Sequence, residues 1–572
     1  MDTFSKRLVQ RGSPFELRDT VIEGAPCRIF PHGPETVPDV FLKALSFAPL
    51  KFIVSENSRL SFGQALKKAD RLAQILKDRY GIKKGRRIAL LMNNSPEWAV
   101  VFISIYFAGA VAVVIHADSD RQSILKAFET TDCALIIIDQ YNLNKFNRVY
   151  NTYPFVLFSD IINSGNPSNG ISKKYPGSIF HIPRPFHSAD YKCASRFNNT
   201  LKPAPDDEAL ISFTSGSTGV PKGVVLSHRN MTTGLMNMML GGFLVNSRNA
   251  KDRTEKQPGI YNTRPCSLLL SPFSHISGYS QLMLMCYLGG KIVLMSGWDE
   301  RQAATLIEKE KAVSISGVSS MMISGLLRIE ASENKLKTLR NININGTALR
   351  HSFLGEIADE FPFLNIKTGY GMTETSGSIS NASGAELLNN PGTSGPVLPS
   401  VDIKIIDYTG QDQPRGKHGE ICVLGSMVMK RYCADPHKTS TTIKNGWLHT
   451  GDTGYLDSDG NLFITDRLKD VILCGNQRIS AGELERLAGE HPMIDEAVVF
   501  SLPCSERCDS IVMAVLPGNR KKIHEVKLKQ ELSSRIKNLP DNFRIILLKS
   551  LPRTASGKIN RNKLRRQISL NL

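Results

Sequence analysis

The stretch from Trp98 to Ala117, WAVVFISIYFAGAVAVVIHA, carries no Lys, Arg, Asp or Glu, so all of it must leave water wherever it folds. About 20 such residues are what a helix needs to cross a membrane. Their internal order points elsewhere. Gly109 separates a helix-like first half from the β-branched run Val111 to Ile115, the pattern of a buried helix turning into a buried strand. From Leu60 to Asp139, apolar helical periodicity alternates with further β-branched runs at Ile88 to Leu91 and Ala134 to Ile138. Alternation of this kind predicts strands covered by helices in an α/β layer.

A chain of 572 residues is more than one core organises, so at least two domains are expected. Its 41% apolar and 22% charged residues exclude a disordered or collagen-like chain. The polar stretches Asn163 to Asp206 and Asn246 to Arg264 read as surface loops. After Pro396 the texture changes to short strands (Val401 to Ile406, Glu420 to Val423, Asn461 to Ile464) between Gly, Pro and Asp turns, which predicts a smaller β subdomain. From Ile472 onward a compact α+β segment is expected, with strands at Ala497 to Leu502 and Ile511 to Leu516 and a helix at Ile523 to Leu539. No period of the length that marks repeat proteins recurs, which excludes a solenoid.

The ten cysteines are scattered, and the closest pair, Cys504 and Cys508, lacks zinc-site spacing. The N-terminus has no apolar core of a secretory signal, so a cytoplasmic location is expected. Of the net charge of +18, much lies in Gly518 to Leu572, where fifteen Lys and Arg face three acids. That end attracts anions: nucleic acid, the inner face of a membrane, or a polyphosphate ligand.

The strongest local signal is ISFTSGSTGVPKGVVL, Ile211 to Leu226: an apolar strand, a glycine- and hydroxyl-rich loop with one Lys, and a second apolar strand. Such a loop can wrap phosphates, because glycine lets backbone N–H groups approach and Thr214, Ser215, Ser217 and Thr218 add donors. It is not a Walker loop, since Pro221 and Gly223 flank Lys222 where Gly and Ser or Thr are required. On composition alone, a Ser/Gly-rich hairpin without a ligand is an equal alternative.

Its company decides. Thr214-Ser-Gly-Ser-Thr-Gly-Val-Pro-Lys222, Gly369-Tyr-Gly-Met-Thr-Glu374, Trp447-Leu-His-Thr-Gly-Asp452, Asp466-Arg-Leu-Lys-Asp470 and Pro552-Arg-Thr-Ala-Ser-Gly-Lys558 follow one another in this order. Together they closely resemble the signatures of the adenylate-forming superfamily, which includes acyl-CoA synthetases, and the resemblance runs from about residue 35 to 566. It implies a large N-terminal domain of α/β subdomains plus a small β subdomain, residues 1–468, and a small mobile α+β C-terminal domain, residues 469–572, hinged at Lys469.

The resemblance also implies roles. Thr214, Ser215, Gly216, Ser217, Thr218, Gly219 and Lys222 would bind the β,γ-phosphates of ATP, and Gly346, Thr347 and Ala348 would join the nucleotide contacts. Tyr370, with Gly371 and Met372 beside it, would stack on adenine, Thr373 would touch the α-phosphate, and Glu374 would help to hold Mg²⁺. Asp452 would accept from both ribose hydroxyls, with Arg467 as a second ribose and phosphate contact. Lys558 would neutralise the approach of a carboxylate to the α-phosphorus, and His275, in Ser271-Pro-Phe-Ser-His-Ile-Ser-Gly278, would stand beside the acyl pocket. Without the motifs these residues read as core packing, turns and a basic tail.

The implied reaction makes an acyl-AMP from ATP and a carboxylic acid, fatty or aryl, and passes the acyl group to coenzyme A. A separate acyl carrier protein is the alternative acceptor, and a non-catalytic nucleotide-binding relative the alternative class. No nucleic-acid partner is expected, and a peripheral contact with a membrane's inner face is the second use open to the basic tail. No Asp stands in Phe273 to Gln281 to pair with an amino group, which favours a simple acid. Small residues and Met in Ser314 to Gly325 and Thr375 to Asn381 are expected to line its pocket. Four departures stand out: Val113-Val-Ile-His116 replaces a frequent Pro-Leu-Asn turn, Ser319 a frequent proline, Arg431 a frequent glycine, and Gly475-Asn-Gln-Arg-Ile-Ser480 keeps only part of the loop that lines the thiol tunnel.

Overall fold

A computed structural model describes residues 3–146, 154–159, 202–214, 221–251, 264–318, 320–344, 351–474, 477–491, 493–502, 510–518, 525–535, 543–553 and 559–569. The charge-free stretch becomes the helix Pro96–Phe107 and the strand Val111–Val114. Ser95 starts the helix, its hydroxyl accepting from Trp98 N–H, and Pro96 takes the first turn, where no backbone donor is needed. Gly109, at φ 75°, ends it in the left-handed conformation that glycine adopts without strain. The helix is 12 residues long, about 18 Å at 1.5 Å per residue, well short of a bilayer core. No helix among the described residues is long and apolar enough to cross a membrane.

The buried helix lies in the middle of a layered α/β domain. Trp98 stacks on Phe102 at 4.8 Å and on Phe273 at 5.1 Å, and Phe102 meets Tyr106 edge-on at 5.0 Å. On one side is a seven-stranded sheet, whose central strands Glu208–Thr214, Val111–Val114, Arg87–Leu91, Leu135–Ile138 and Phe155–Leu157 run parallel. On the other is an eight-stranded sheet with Lys51–Val54, Lys291–Leu294, Cys266–Leu269, Ser314–Ser316, Asn341–Asn343 and Asn365–Met372 parallel and an antiparallel strand at each edge. One contiguous core joins helices between the two sheets.

The predicted β subdomain is an antiparallel sheet ordered Thr393–Pro396, Asn461–Arg467, Trp447–Leu456, Gly419–Leu424, Asp402–Ile406. The α+β segment has its own core under the strands Ile494–Leu502, Ser510–Pro517 and Arg544–Leu547, with the helix Glu525–Arg535 inside the predicted span. One expectation fails. Asn246 to Arg264 reads as a loop, but the helix His228–Lys251 continues through its first six residues. Tertiary contacts override the polar composition there: Asn246 accepts from Lys367, and Arg248 pairs with Glu386. Of the sequence departures, Arg431 joins Glu208, which also holds Arg87 at 3.0 Å, so a charge pair across three strands takes the glycine's place.

Candidate active site

The glycine-rich segment is a hairpin. Glu208–Thr214 and Lys222–Ser227 pair antiparallel with Thr214 opposite Lys222, which sets both residues at the base of the turn. Ser215, Gly216, Ser217, Thr218 and Gly219 lie outside the described residues, as do Gly346, Thr347, Ala348 and Lys558. The Lys222 ammonium sits 5.6 Å from the ring centroid of Tyr432, and burial lowers its pKa, reinforced by Lys438 and opposed by Glu374. Tyr432 O–H donates to Glu374 Oε1 at 2.9 Å. Glu374 is buried at 7% exposure, and burial raises its pKa while Tyr432 and Lys222 hold it down. Its own backbone N–H also bonds to the carboxylate and lowers that pKa. A buried carboxylate beside the glycine-rich hairpin offers the kind of hard oxygen that suits Mg²⁺, which is commonly held by one carboxylate plus substrate phosphates.

The strand Asn365–Met372 delivers Tyr370 and ends in the short turn Thr373–Thr375 that carries Glu374. Gly371 is needed for this: a Cβ there would meet the Gly377 carbonyl oxygen at 2.1 Å, across the hairpin. Tyr370 O–H donates to Asp452 Oδ2 at 2.7 Å, and Arg467 Nε lies 3.2 Å from Asp452 Oδ1. Asp452 and Arg467 face each other across the strands Trp447–Leu456 and Asn461–Arg467. Burial and the neighbouring Asp452 raise the Tyr370 phenol's pKa, so it stays a donor.

Behind Asp452, Glu420 braces the turn. Its Oε2 lies 2.9 Å from His449 Nδ1 and its Oε1 accepts from Gly451 N–H at 3.1 Å. Cys422 completes this buried group, but burial pushes its thiol pKa up to about 12, so it stays protonated.

His275 caps the helix Ile276–Leu288, its Nδ1 accepting from Ser277 N–H at 3.3 Å and lying 2.9 Å from Ser277 Oγ. Asn94, which sequence reasoning missed, clamps the loop before it: Phe273 N–H donates to Asn94 Oδ1 at 2.6 Å and Asn94 Nδ2 donates to the Ser271 carbonyl at 3.0 Å. Tyr279, one turn past His275, is close enough for the Glu374 charge to act on its phenol.

Five expected residues, Lys222, Tyr370, Glu374, Asp452 and Arg467, thus meet where the three sheets of the large domain converge, with Thr373 and Met372 in the same segment. Tyr432 and Glu420 belong to the group as well, and no motif announces either. Lys469 lies two residues past Arg467; burial lowers its pKa first, Asp470 opposes this, and Arg467, Arg561 and Lys222 add to the lowering. The strand that ends in Arg467 is fastened to the C-terminal segment by Asp466, which accepts from Ser480 Oγ at 3.0 Å and Gly482 N–H at 3.2 Å. The described residues on either side of the Lys558 segment, Arg553 and Ile559, face each other in an antiparallel bridge.

Comparison with known proteins agrees with this arrangement. The family model described as AMP-binding enzyme matches residues 44–433, and that of the AMP-binding enzyme C-terminal domain matches residues 483–558. A 4-coumarate–CoA ligase of Arabidopsis thaliana is 27% identical over 509 residues, covering 86% of this chain and 83% of its own. Among solved structures, an amide bond synthetase from Marinactinospora thermotolerans superposes with a TM-score of 0.76 at 21% identity, covering 93% of this chain and 99% of that one. The o-succinylbenzoate CoA synthetase of Bacillus subtilis, bound to its acyl-adenylate intermediate, gives 0.68 at 23% identity over 92% and 97%.

Proposed function

The chain belongs to the AMP-binding enzyme family and is an AMP-forming acid–thiol ligase, and on that footing we propose that it activates an aryl acid as acyl-AMP and transfers the acyl group to coenzyme A. The observation that carries this reading is the convergence of Lys222, Glu374, Tyr370, Asp452 and Arg467. In the first step a carboxylate oxygen attacks the α-phosphorus of ATP and pyrophosphate leaves. In the second the coenzyme A thiol, giving up its proton, attacks the acyl carbonyl and AMP leaves.

Asp452 offers an acceptor position on each oxygen for a ribose hydroxyl, and Tyr370 is fixed beside it to flank the base. Lys222 and its hairpin take the outer phosphates, and Thr373 donates to the inner one. Lys558 brings an ammonium to the meeting of two anions, a like-charge approach that otherwise raises the barrier. Mg²⁺, when bound, supplies further charge neutralisation, with Glu374 as its protein ligand. We place the border between a domain of residues 1–468 and one of 469–572 at Lys469, which follows the last strand of the β subdomain.

An aryl acid is favoured over a fatty acid because relatives that cover 86% to 91% of the chain are 4-coumarate–CoA ligases. A carrier-protein acceptor and a membrane contact gain nothing from those relatives. The decisive experiment incubates purified protein with ATP, Mg²⁺ and a panel of aryl and fatty acids, with and without coenzyme A. AMP release that needs both an aryl acid and coenzyme A supports the reading; release with fatty acids alone, or none, overturns it.

A further inference from the structure

Across the eight-stranded sheet, Leu269, Ser316, Asn343, Lys367 and Ser383 stand side by side in register. Residues paired in register share a sheet face, so four polar side chains form one row, and Lys367 is the only charged member of it. Asn343 Nδ2 donates to Ser316 Oγ at 2.9 Å, and Lys367 Nζ donates to Asn246 Oδ1 at 3.1 Å, on the helix that covers this face. That amide oxygen is the only partner of the ammonium among the described residues. Glu386, just beyond the adjoining strand Gly377–Ser383, is taken by Arg248.

Lys367 is deeply set yet keeps accessible surface, which places it on a crevice rather than in a sealed core. Burial pushes its pKa down to about 8, so most of it is still charged at neutral pH. An ammonium set this deep, with only an amide oxygen as partner among the described residues, is unfavourable, and an anion entering the crevice would offset that.

The row adjoins the start of the loop that carries His275. Leu270 N–H donates to the Ser316 carbonyl at 3.0 Å, so the loop that leads to His275 leaves the sheet directly from this level. Lys367 precedes Gly371 by four residues on the same strand face, about 13 Å at about 3.3 Å per residue.

We propose that Lys367 determines specificity at the distal end of the acid site and selects a substrate with a second carboxylate, about 10 Å from the one that is activated. The inference rests on the reading that this cleft forms an acyl-adenylate, and names the substrate class within it.

The test uses two matched pairs, cinnamate with 4-carboxycinnamate and decanoate with decanedioate, together with 4-hydroxycinnamate. For each, kcat/KM of pyrophosphate exchange is measured for the full chain, Lys367→Met and Lys367→Arg. The dicarboxylate of at least one pair should be preferred about tenfold or more, in line with a charge-assisted hydrogen bond. Lys367→Met should bring that ratio close to one and Lys367→Arg should restore part of it. A parallel readout is calorimetric binding of acylsulfamoyl adenosines carrying the cinnamoyl or 4-carboxycinnamoyl group, which needs no turnover. If neither analogue binds and no acid is exchanged, the adenylation reading itself falls. If both bind equally well, if the ratio survives Lys367→Met, or if 4-hydroxycinnamate outranks both dicarboxylates, adenylation stands and the proposal for Lys367 is overturned.

Discussion

Asp452→Asn tests the nucleotide site at the position where the geometry is most constrained. The carboxylate takes Tyr370 O–H on Oδ2 at 2.7 Å and Arg467 Nε on Oδ1 at 3.2 Å, and the proposed function gives it the two ribose hydroxyls as further donors. An amide cannot reproduce this, because only one of its two ends accepts. Its oxygen must face Arg467, since an NH₂ group there would oppose a donor, and its nitrogen then faces Tyr370, whose hydroxyl can turn to accept. One ribose hydroxyl loses its acceptor, and the other loses a charged one. Loss of one charge-assisted hydrogen bond is worth about 1.5 to 3 kcal/mol, roughly a ten- to hundredfold weakening of ATP. ATP–pyrophosphate exchange at varied ATP should show the loss mainly in KM, and thermal unfolding should change little, because Asn is isosteric. An Asp452→Asn enzyme whose KM for ATP stays within about twofold of the parent would refute the ribose assignment.

Three further outcomes follow from the same geometry. Lys558→Ala should reduce acyl-AMP formation by at least about a hundredfold with thermal stability nearly unchanged, and normal pyrophosphate exchange would remove that lysine from the chemistry. Tyr432→Phe deletes the donor that holds the Glu374 pKa down, so Mg²⁺ half-saturation should rise several-fold, more at pH 6 than at pH 8; a Mg²⁺ curve that does not move would show that Tyr432 does not tune the carboxylate. His228, buried at 3% exposure and accepting from Val37 N–H at 3.2 Å, has its pKa lowered by burial from 6.5 to about 4. The folded state then keeps it neutral while the unfolded chain takes up a proton, so about 3 kcal/mol of stability should drain away as pH falls from 6.5 to about 4. Denaturant unfolding of His228→Gln should lack that slope, and identical pH profiles would contradict the assignment.

The strand-forming runs, the helix-to-strand break at Gly109 and the β subdomain after Pro396 were all legible, because each rests on apolar periodicity and on glycine or proline punctuation over short distances. Motif order by itself groups Tyr370, Glu374, Asp452 and Arg467 in one site. What stayed hidden depends on contacts distant in the chain. Tyr432 is one tyrosine among fourteen until the short strand Arg431–Tyr432 pairs with Lys222–Ser227 and brings it over Lys222 to Glu374. Asn94 looks like a turn residue, and only the fold shows it gripping the loop of His275. Asn246 to Lys251 reads as a loop for the same reason that Lys367 gave no signal: the two partners lie on different elements, and neither pattern predicts a bond between them.

The helix Pro96–Phe107 has consequences for how this chain is made. It is synthesised early, yet one of its walls, the ring of Phe273, leaves the ribosome some 170 residues later. At about 5 to 20 residues per second the nascent polypeptide carries an uncovered apolar rod for roughly ten seconds or more. A fragment that stops before Phe273 should therefore aggregate or be held by chaperones, so that the two large sheets reach their native state together and neither is a module that can be expressed by itself.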